Sequence, residues 1–251
     1  ELADIASQAI TQDPQDALNY SPIEGLPALR DTIADRFSKP HLKLKRENIL
    51  IVTGGMQALD LIGKVLLDEG GCIAVQNPTY LGALDAWRPR YPKYVPMNLD
   101  ATDFDPVVAL KGTQFAYTVP NFSNPTGSLI STEIRRQLVK AANDSGSWLI
   151  EDDPYAALYY DGAPLTNMLE MSANSRSEQY EGPVIYMGTL SKEIAPGLRL
   201  GWVIAAPEMI KAMTVAKQGS DMCTSGLIQK IALNAINKGL LEKVLPKILS
   251  T

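Results

Sequence analysis

Four segments of this 251-residue sequence hold side chains whose types and spacing could do chemistry. In the first, Thr189-Leu190-Ser191-Lys192 is followed by Pro196-Gly197-Leu198-Arg199, so a lysine stands among hydroxyls with an arginine seven positions on. A lysine amine among cationic and polar neighbours can lose its proton near neutrality and add to a carbonyl. Taken alone, Lys192 reads more plainly as a surface lysine in a Gly/Pro loop. The second segment is Glu151-Asp152-Asp153-Pro154-Tyr155. A carboxylate there could meet a cationic ligand atom, and three adjacent carboxylates equally fit an acidic loop or a magnesium site. The third, Pro120-Asn121-Phe122-Ser123-Asn124-Pro125-Thr126-Gly127, is made of turn formers, so a structural loop is its default reading. The fourth, Thr53-Gly54-Gly55-Met56-Gln57-Ala58, is a strand-to-helix turn whose free backbone N–H groups suit a phosphate. It matches neither the Walker pattern nor GxGxxG.

These segments lie at the ends of short apolar, β-branched runs. The pattern predicts strands at 49–52, 72–75, 93–97, 114–119, 148–151, 184–187 and 200–205. Helical periodicity is expected at 26–37, 56–67, 81–87, 132–145, 209–217 and 227–238. Strands alternating with helices argue for an α/β architecture, in which ligands gather at the carboxyl ends of strands. The polar stretch 161–182 reads as a surface excursion. There is no internal repeat and no shift of composition, so one domain is the simplest account.

Composition removes several classes of function. With 23 Lys and Arg against 28 Asp and Glu, the net charge is −5, and no basic field exists for nucleic acid or an anionic membrane. A Ser-His-Asp device would rest on His41 alone, and a histidine-rich zinc site is excluded; no metal is expected. Cys72 and Cys223 fit no CxxC spacing, and Cys72 is expected to be a buried thiol, which points to a reducing, cytoplasmic setting. No apolar stretch reaches the ~18 residues of a membrane span. The start, Glu1-Leu2-Ala3-Asp4, has neither an initiator Met nor the form of a signal peptide, so the chain is expected to begin inside a longer product.

The four segments, with Asn77-Pro78-Thr79-Tyr80 between them, also form a specific combination. In their order and approximate spacing, Ser191-Lys192 with Pro196-Gly197-Leu198-Arg199 and Gly201, Asp152-Asp153-Pro154-Tyr155 and Asn124-Pro125-Thr126-Gly127 resemble the fold-type I pyridoxal 5'-phosphate aminotransferases of class I/II. The chain is most similar to the aminoadipate/kynurenine and aromatic aminotransferase group, from about Tyr20 onward. The resemblance implies that Lys192 forms the internal aldimine and shuttles the proton between Cα and the cofactor. It implies Asp152 opposite the pyridine nitrogen, Tyr155 and Asn124 at the phenolic oxygen, and Tyr80 stacked on the ring. Thr189, Ser191, Arg199 and the turn Gly55-Met56-Gln57 resemble the phosphate cup. Tyr20 is similar to a tyrosine that reaches the neighbouring subunit's phosphate, which implies a homodimer.

The implied fold is a three-layer α/β/α domain on a mainly parallel seven-stranded sheet, with 200–205 as the antiparallel strand. The implied reaction moves an amino group from an amino acid to a 2-oxo acid. Two departures stand out. Gly55 replaces a residue that often carries a hydroxyl, leaving backbone N–H groups there. No residue matches the arginine that grips the substrate α-carboxylate, so residues 1–251 correspond to the cofactor-binding large domain without the family's N-terminal arm and C-terminal small domain. Two other functions use the same motifs: another reaction such as β-elimination, and the sensor domain of an aminotransferase-like transcription regulator.

Overall fold

Seven short runs pair into one sheet: β1 (Ile49–Val52), β2 (Cys72–Gln76), β3 (Lys93–Met97), β4 (Phe115–Thr118), β5 (Trp148–Asp152), β6 (Val184–Thr189) and β7 (Gly201–Ile204). In this computed structural model, which describes residues 1–250, the strand order is β1-β7-β6-β5-β4-β2-β3. The pairs β2–β3, β2–β4, β4–β5 and β5–β6 are parallel, and β7 runs antiparallel to both β1 and β6. Every residue of β1, β4 and β7 is buried, the pattern of strands covered on both faces.

Eleven helices lie around the sheet among the described residues: α1 (Leu2–Gln12), α2 (Pro14–Leu18), α3 (Pro27–Phe37), α4 (Gly55–Leu66), α5 (Leu81–Trp87), α6 (Pro106–Leu110), α7 (Thr132–Ser145), α8 (Met168–Met171), α9 (Pro207–Gln218), α10 (Gly226–Asn237) and α11 (Leu240–Leu249). Side chains alternate across each strand and divide the core in two. On one face Ile51, Leu149, Tyr186 and Trp202 meet α3, α6, α7, α8 and α10. On the other, Val52, Tyr117, Ile150 and Met187 meet α4, α5 and α9. The helices α1 and α11 pack outside this, on α10, through Ile5, Ala9, Ile231 and Leu240. None of the described helices is long and apolar enough to cross a membrane.

The expected three-layer α/β/α class and the antiparallel seventh strand are those of the structure. Three expectations need correcting. The helices α1, α2, α6, α8 and α11 are additional to those expected: α2, α6 and α8 are four or five residues long, too short for a 3.6-residue period, and α11 carries Pro246. The stretch 161–182 is more than an excursion, since Met168, Leu169 and Tyr180 enter the core. The Cys72 thiol is half-buried at the start of β2, not sealed inside, and neither cysteine is bonded.

Candidate active site

The carboxyl ends of the parallel strands share one edge with the amino end of β7, so the four sequence segments emerge side by side. Between them is a cavity of about 260 Å³. It is lined by ten of the twelve predicted residues: Gly55, Met56, Tyr80, Asn124, Asp152, Tyr155, Thr189, Ser191, Lys192 and Arg199. Gln57 and Tyr20 are not in the lining. The side chain of Gln57 accepts from the Thr53 amide at 2.8 Å, and its own backbone N–H donates to Gly54 O at 3.2 Å, so it braces the turn instead of facing the cavity. Tyr20 follows α2 and is 81% exposed, outside this cavity.

At one part of the lining the chain collects groups suited to an anion. The first turn of α4 has N–H groups without a carbonyl one turn back, and a helix start attracts negative charge. Its cap, Gly54, has φ +82°, and a Cβ there would come within 2.6 Å of Arg199 Nη2. Only glycine allows both that backbone conformation and that approach of the guanidinium. Arg199 itself takes φ +48°, a left-handed conformation costing about 1 kcal/mol for a side-chain-bearing residue. Thr189 Oγ1 donates to Leu200 O (2.9 Å), accepts from the Ser191 amide (3.1 Å) and lies 3.0 Å from Ser191 Oγ, which packs the two hydroxyls together. At Gly55 a Cβ would meet nothing nearer than Met187 Cε at 4.0 Å, so the missing hydroxyl leaves open space.

Lys192 follows β6, and its Nζ stands 5.8 Å from the Tyr155 ring centre. Asp152 is the last residue of β5. Burial pushes its carboxyl up to about 6, against a 2.6 Å hydrogen bond from the Tyr117 hydroxyl that lowers it, while the Asp153 charge raises it. Burial and the nearby Asp152 carboxylate likewise raise the Tyr155 phenol.

The three consecutive carboxylates do not converge on one ion. Glu151 is fully buried on the α8 side, where its two oxygens accept from the Met168 and Leu169 amides at 2.8 and 2.9 Å. Asp153 accepts from Asn121 Nδ2 at 2.8 Å and the Tyr186 hydroxyl at 3.3 Å. Asn121 Oδ1 in turn accepts from Arg135 and Tyr159, both at 2.7 Å. The loop from Pro120 to Gly127 is therefore pinned to β5 by Asn121 while Asn124 faces the cavity. Sequence reasoning missed Tyr117, Asn121 and the apolar lining residues Leu59, Val119 and Met187. Tyr117 carried no signal in the sequence: it reaches Asp152 because it pairs with Ile150, which shares a strand face with Asp152.

Residues 1–245 match the family model described as aminotransferase class I and II. The 2-aminoadipate transaminase of Thermus thermophilus is 36% identical over 249 residues, covering 97% of this chain and 60% of that protein. The crystal structure of LysN, the α-aminoadipate aminotransferase of the same organism complexed with N-(5'-phosphopyridoxyl)-L-leucine, superposes with a TM-score of 0.88 at 35% identity over 99% of this chain and 63% of that one. An uncharacterized HTH-type transcriptional regulator of Bacillus subtilis, YisV, is 30% identical over 232 residues, covering 90% of this chain and 46% of the regulator. The chain thus spans about 60% of the length of the first two relatives. It belongs to the class I and II aminotransferase family.

Proposed function

We propose that the whole protein is a pyridoxal 5'-phosphate-dependent aminotransferase that moves an amino group from an amino acid to a 2-oxo acid. The observation that carries this reading is the convergence of Lys192, Asp152 and Arg199 on one cavity from three separate strand ends. Pyridoxal phosphate supplies, when bound, an aldehyde that condenses with amines and a protonated ring that withdraws electrons from the bond being broken.

The residues present fit that group. The Arg199 guanidinium, the Thr189 and Ser191 hydroxyls and the turn at Gly55 and Met56, braced by Gln57, would hold a phosphate dianion, which a helix start and an arginine match in charge. The Asp152 carboxyl, raised by burial, lacks a cationic partner that a pyridinium would provide. Tyr80 would cover the ring, and Asn124 and Tyr155 would donate to its phenolic oxygen. Lys192 Nζ would hold the cofactor and, once released, take the proton from the substrate Cα as general base. One lysine then serves attachment and proton transfer. Tyr20, exposed here, would reach the phosphate in a second copy, which makes a homodimer part of the reading.

The YisV match favours one alternative, a sensor that binds the same cofactor without turning over. The visible absorbance of the protein with pyridoxal phosphate, before and after a mixture of amino acids, separates the two. A band that bleaches as a 2-oxo acid forms, and whose bleaching is lost in folded Lys192→Ala, supports the aminotransferase. A band that shifts without bleaching supports the sensor. Absence of any band overturns both, and release of pyruvate with ammonia instead of a new amino acid would mean elimination.

A further inference from the structure

A second charged group lies behind the turn that leads into α4, outside the cavity. Lys217, in the last turn of α9, has no exposed surface, and its Nζ is 2.5 Å from Asp221 Oδ1. Asp221 Oδ2 accepts from Thr53 Oγ1 at 2.9 Å, and the Gln57 side chain helps to lower the Asp221 carboxyl. Thr53 closes the loop, its amide donating to Gln57 Oε1 at 2.8 Å. The turn is thus held at the front by Arg199 against Gly54 and at the back by Asp221 against Thr53. Burial alone would push the Asp221 carboxyl up, but Lys217, Gln57 and Thr53 outweigh it and hold the carboxyl below its ordinary value.

Desolvating a lysine is expensive, and such a pair contributes little to stability beyond what apolar side chains of the same size would give. What it does provide is an acceptor at a fixed place. A neutral side chain could not hold the Thr53 donor with the same strength.

We propose that Asp221, locked by Lys217, is a positioning residue that fixes the turn from Thr53 to Gln57 so that the first N–H groups of α4 converge on a phosphate. This rests on the phosphate-binding reading of the cavity. Neither residue touches the ligand; both act through Thr53 and Gln57.

The test is an equilibrium titration of the full protein with pyridoxal 5'-phosphate and, separately, with pyridoxal, which lacks the phosphate. Asp221→Asn should weaken the phosphorylated ligand about tenfold, the effect of one lost charged hydrogen bond, and leave pyridoxal unchanged. Thr53→Val should do the same, and Thr53→Ser, which keeps the hydroxyl, should bind as the parent does. The Thr53 pair carries the test if Asp221→Asn loses its cooperative melt. Equal weakening of both ligands, or of neither, overturns the proposal and leaves the phosphate reading intact. A parent protein that binds the two ligands equally overturns the phosphate reading itself.

Discussion

Asp152 and Asp153 are joined by one peptide bond, and burial pushes each carboxyl up to about 6, yet they face opposite sides of the sheet and different surroundings. Asp153 has donors on both oxygens, Asn121 on one and Tyr186 on the other, with Arg135 behind Asn121. Among the described residues Asp152 has one side-chain donor, Tyr117, and it opens onto the cavity. A carboxylate with donors on both sides works as a clamp, tying the loop from Pro120 to Gly127 to β5. One that faces a cavity with a single donor keeps lone pairs free for a ligand. Two adjacent aspartates, each raised by burial, therefore divide structure from chemistry by the face of the sheet each points to.

The largest expected effect breaks the comparison on the chemical side. Asp152→Asn keeps the shape and can still accept from Tyr117, but it cannot favour a cationic ligand atom. Turnover should fall by about 10²–10³-fold, while the melting temperature stays within a few degrees of the parent. An Asp152→Asn protein with parental turnover would deny Asp152 its electrostatic role. On the structural side, Asp153→Ala leaves the Asn121 amide and Tyr186 hydroxyl without their acceptor. The loss should be about 3 kcal/mol of stability, read by urea unfolding. A parental midpoint in Asp153→Ala would mean that the clamp holds nothing the fold depends on.

How much of this division is visible in the sequence depends on whether it is local. The strand ends at Asp152 and Thr189 and the helix start at Gly55 follow from apolar runs stopping at polar or glycine residues, which is a nearest-neighbour signal. The choice between Asp152 and Asp153 comes from the resemblance, and the alternation of β5 agrees with it. What is absent from the sequence is register. The 2.6 Å bond from Tyr117 exists because Tyr117 lies beside Ile150, a pairing between strands more than thirty residues apart along the chain. The same holds for α8, whose four residues have no period to detect; its first amides are held by Glu151, seventeen positions away along the chain. In the sequence Lys217 looks like any helix-ending lysine, and only the packing of α9 in the folded chain buries it.

Glu151 sharpens the contrast through pH. Burial and the Asp153 charge push its carboxyl up to about 8, against two backbone N–H bonds that lower it. A folded value above the unfolded one means that the native state binds more protons through the window from about 4.5 to 8, so stability falls as pH rises through it. Asp152 and Asp153 add the same sign between about 4 and 6. The free energy of urea unfolding should therefore fall between pH 6 and pH 8, by about 2 kcal/mol from Glu151. Glu151→Gln should flatten that slope, at the cost of one of the two acceptors for α8. A slope unchanged in Glu151→Gln would assign the titration to another group.

The smallest effect tests the one bond that distinguishes Asp152 from a free carboxylate. Tyr117→Phe fits the same buried space beside Trp87 and removes only the hydroxyl that donates to Oδ2. That bond lowers the carboxyl against the burial that raises it, so its loss should move Asp152 above about 6. More of the site is then protonated near neutrality. The acid limb of the rate profile should shift to higher pH, while the rate on the alkaline side of that limb falls about tenfold, the effect of one lost hydrogen bond to a charged acceptor. Asp153, on the other face, should be untouched, while the urea midpoint at pH 8 should fall below the parent's, because the ionised Asp152 carboxylate has lost its donor. If the two pH–rate profiles superimpose, Tyr117 packs in the core without tuning Asp152, and the difference between the two aspartates reduces to which one meets the cavity.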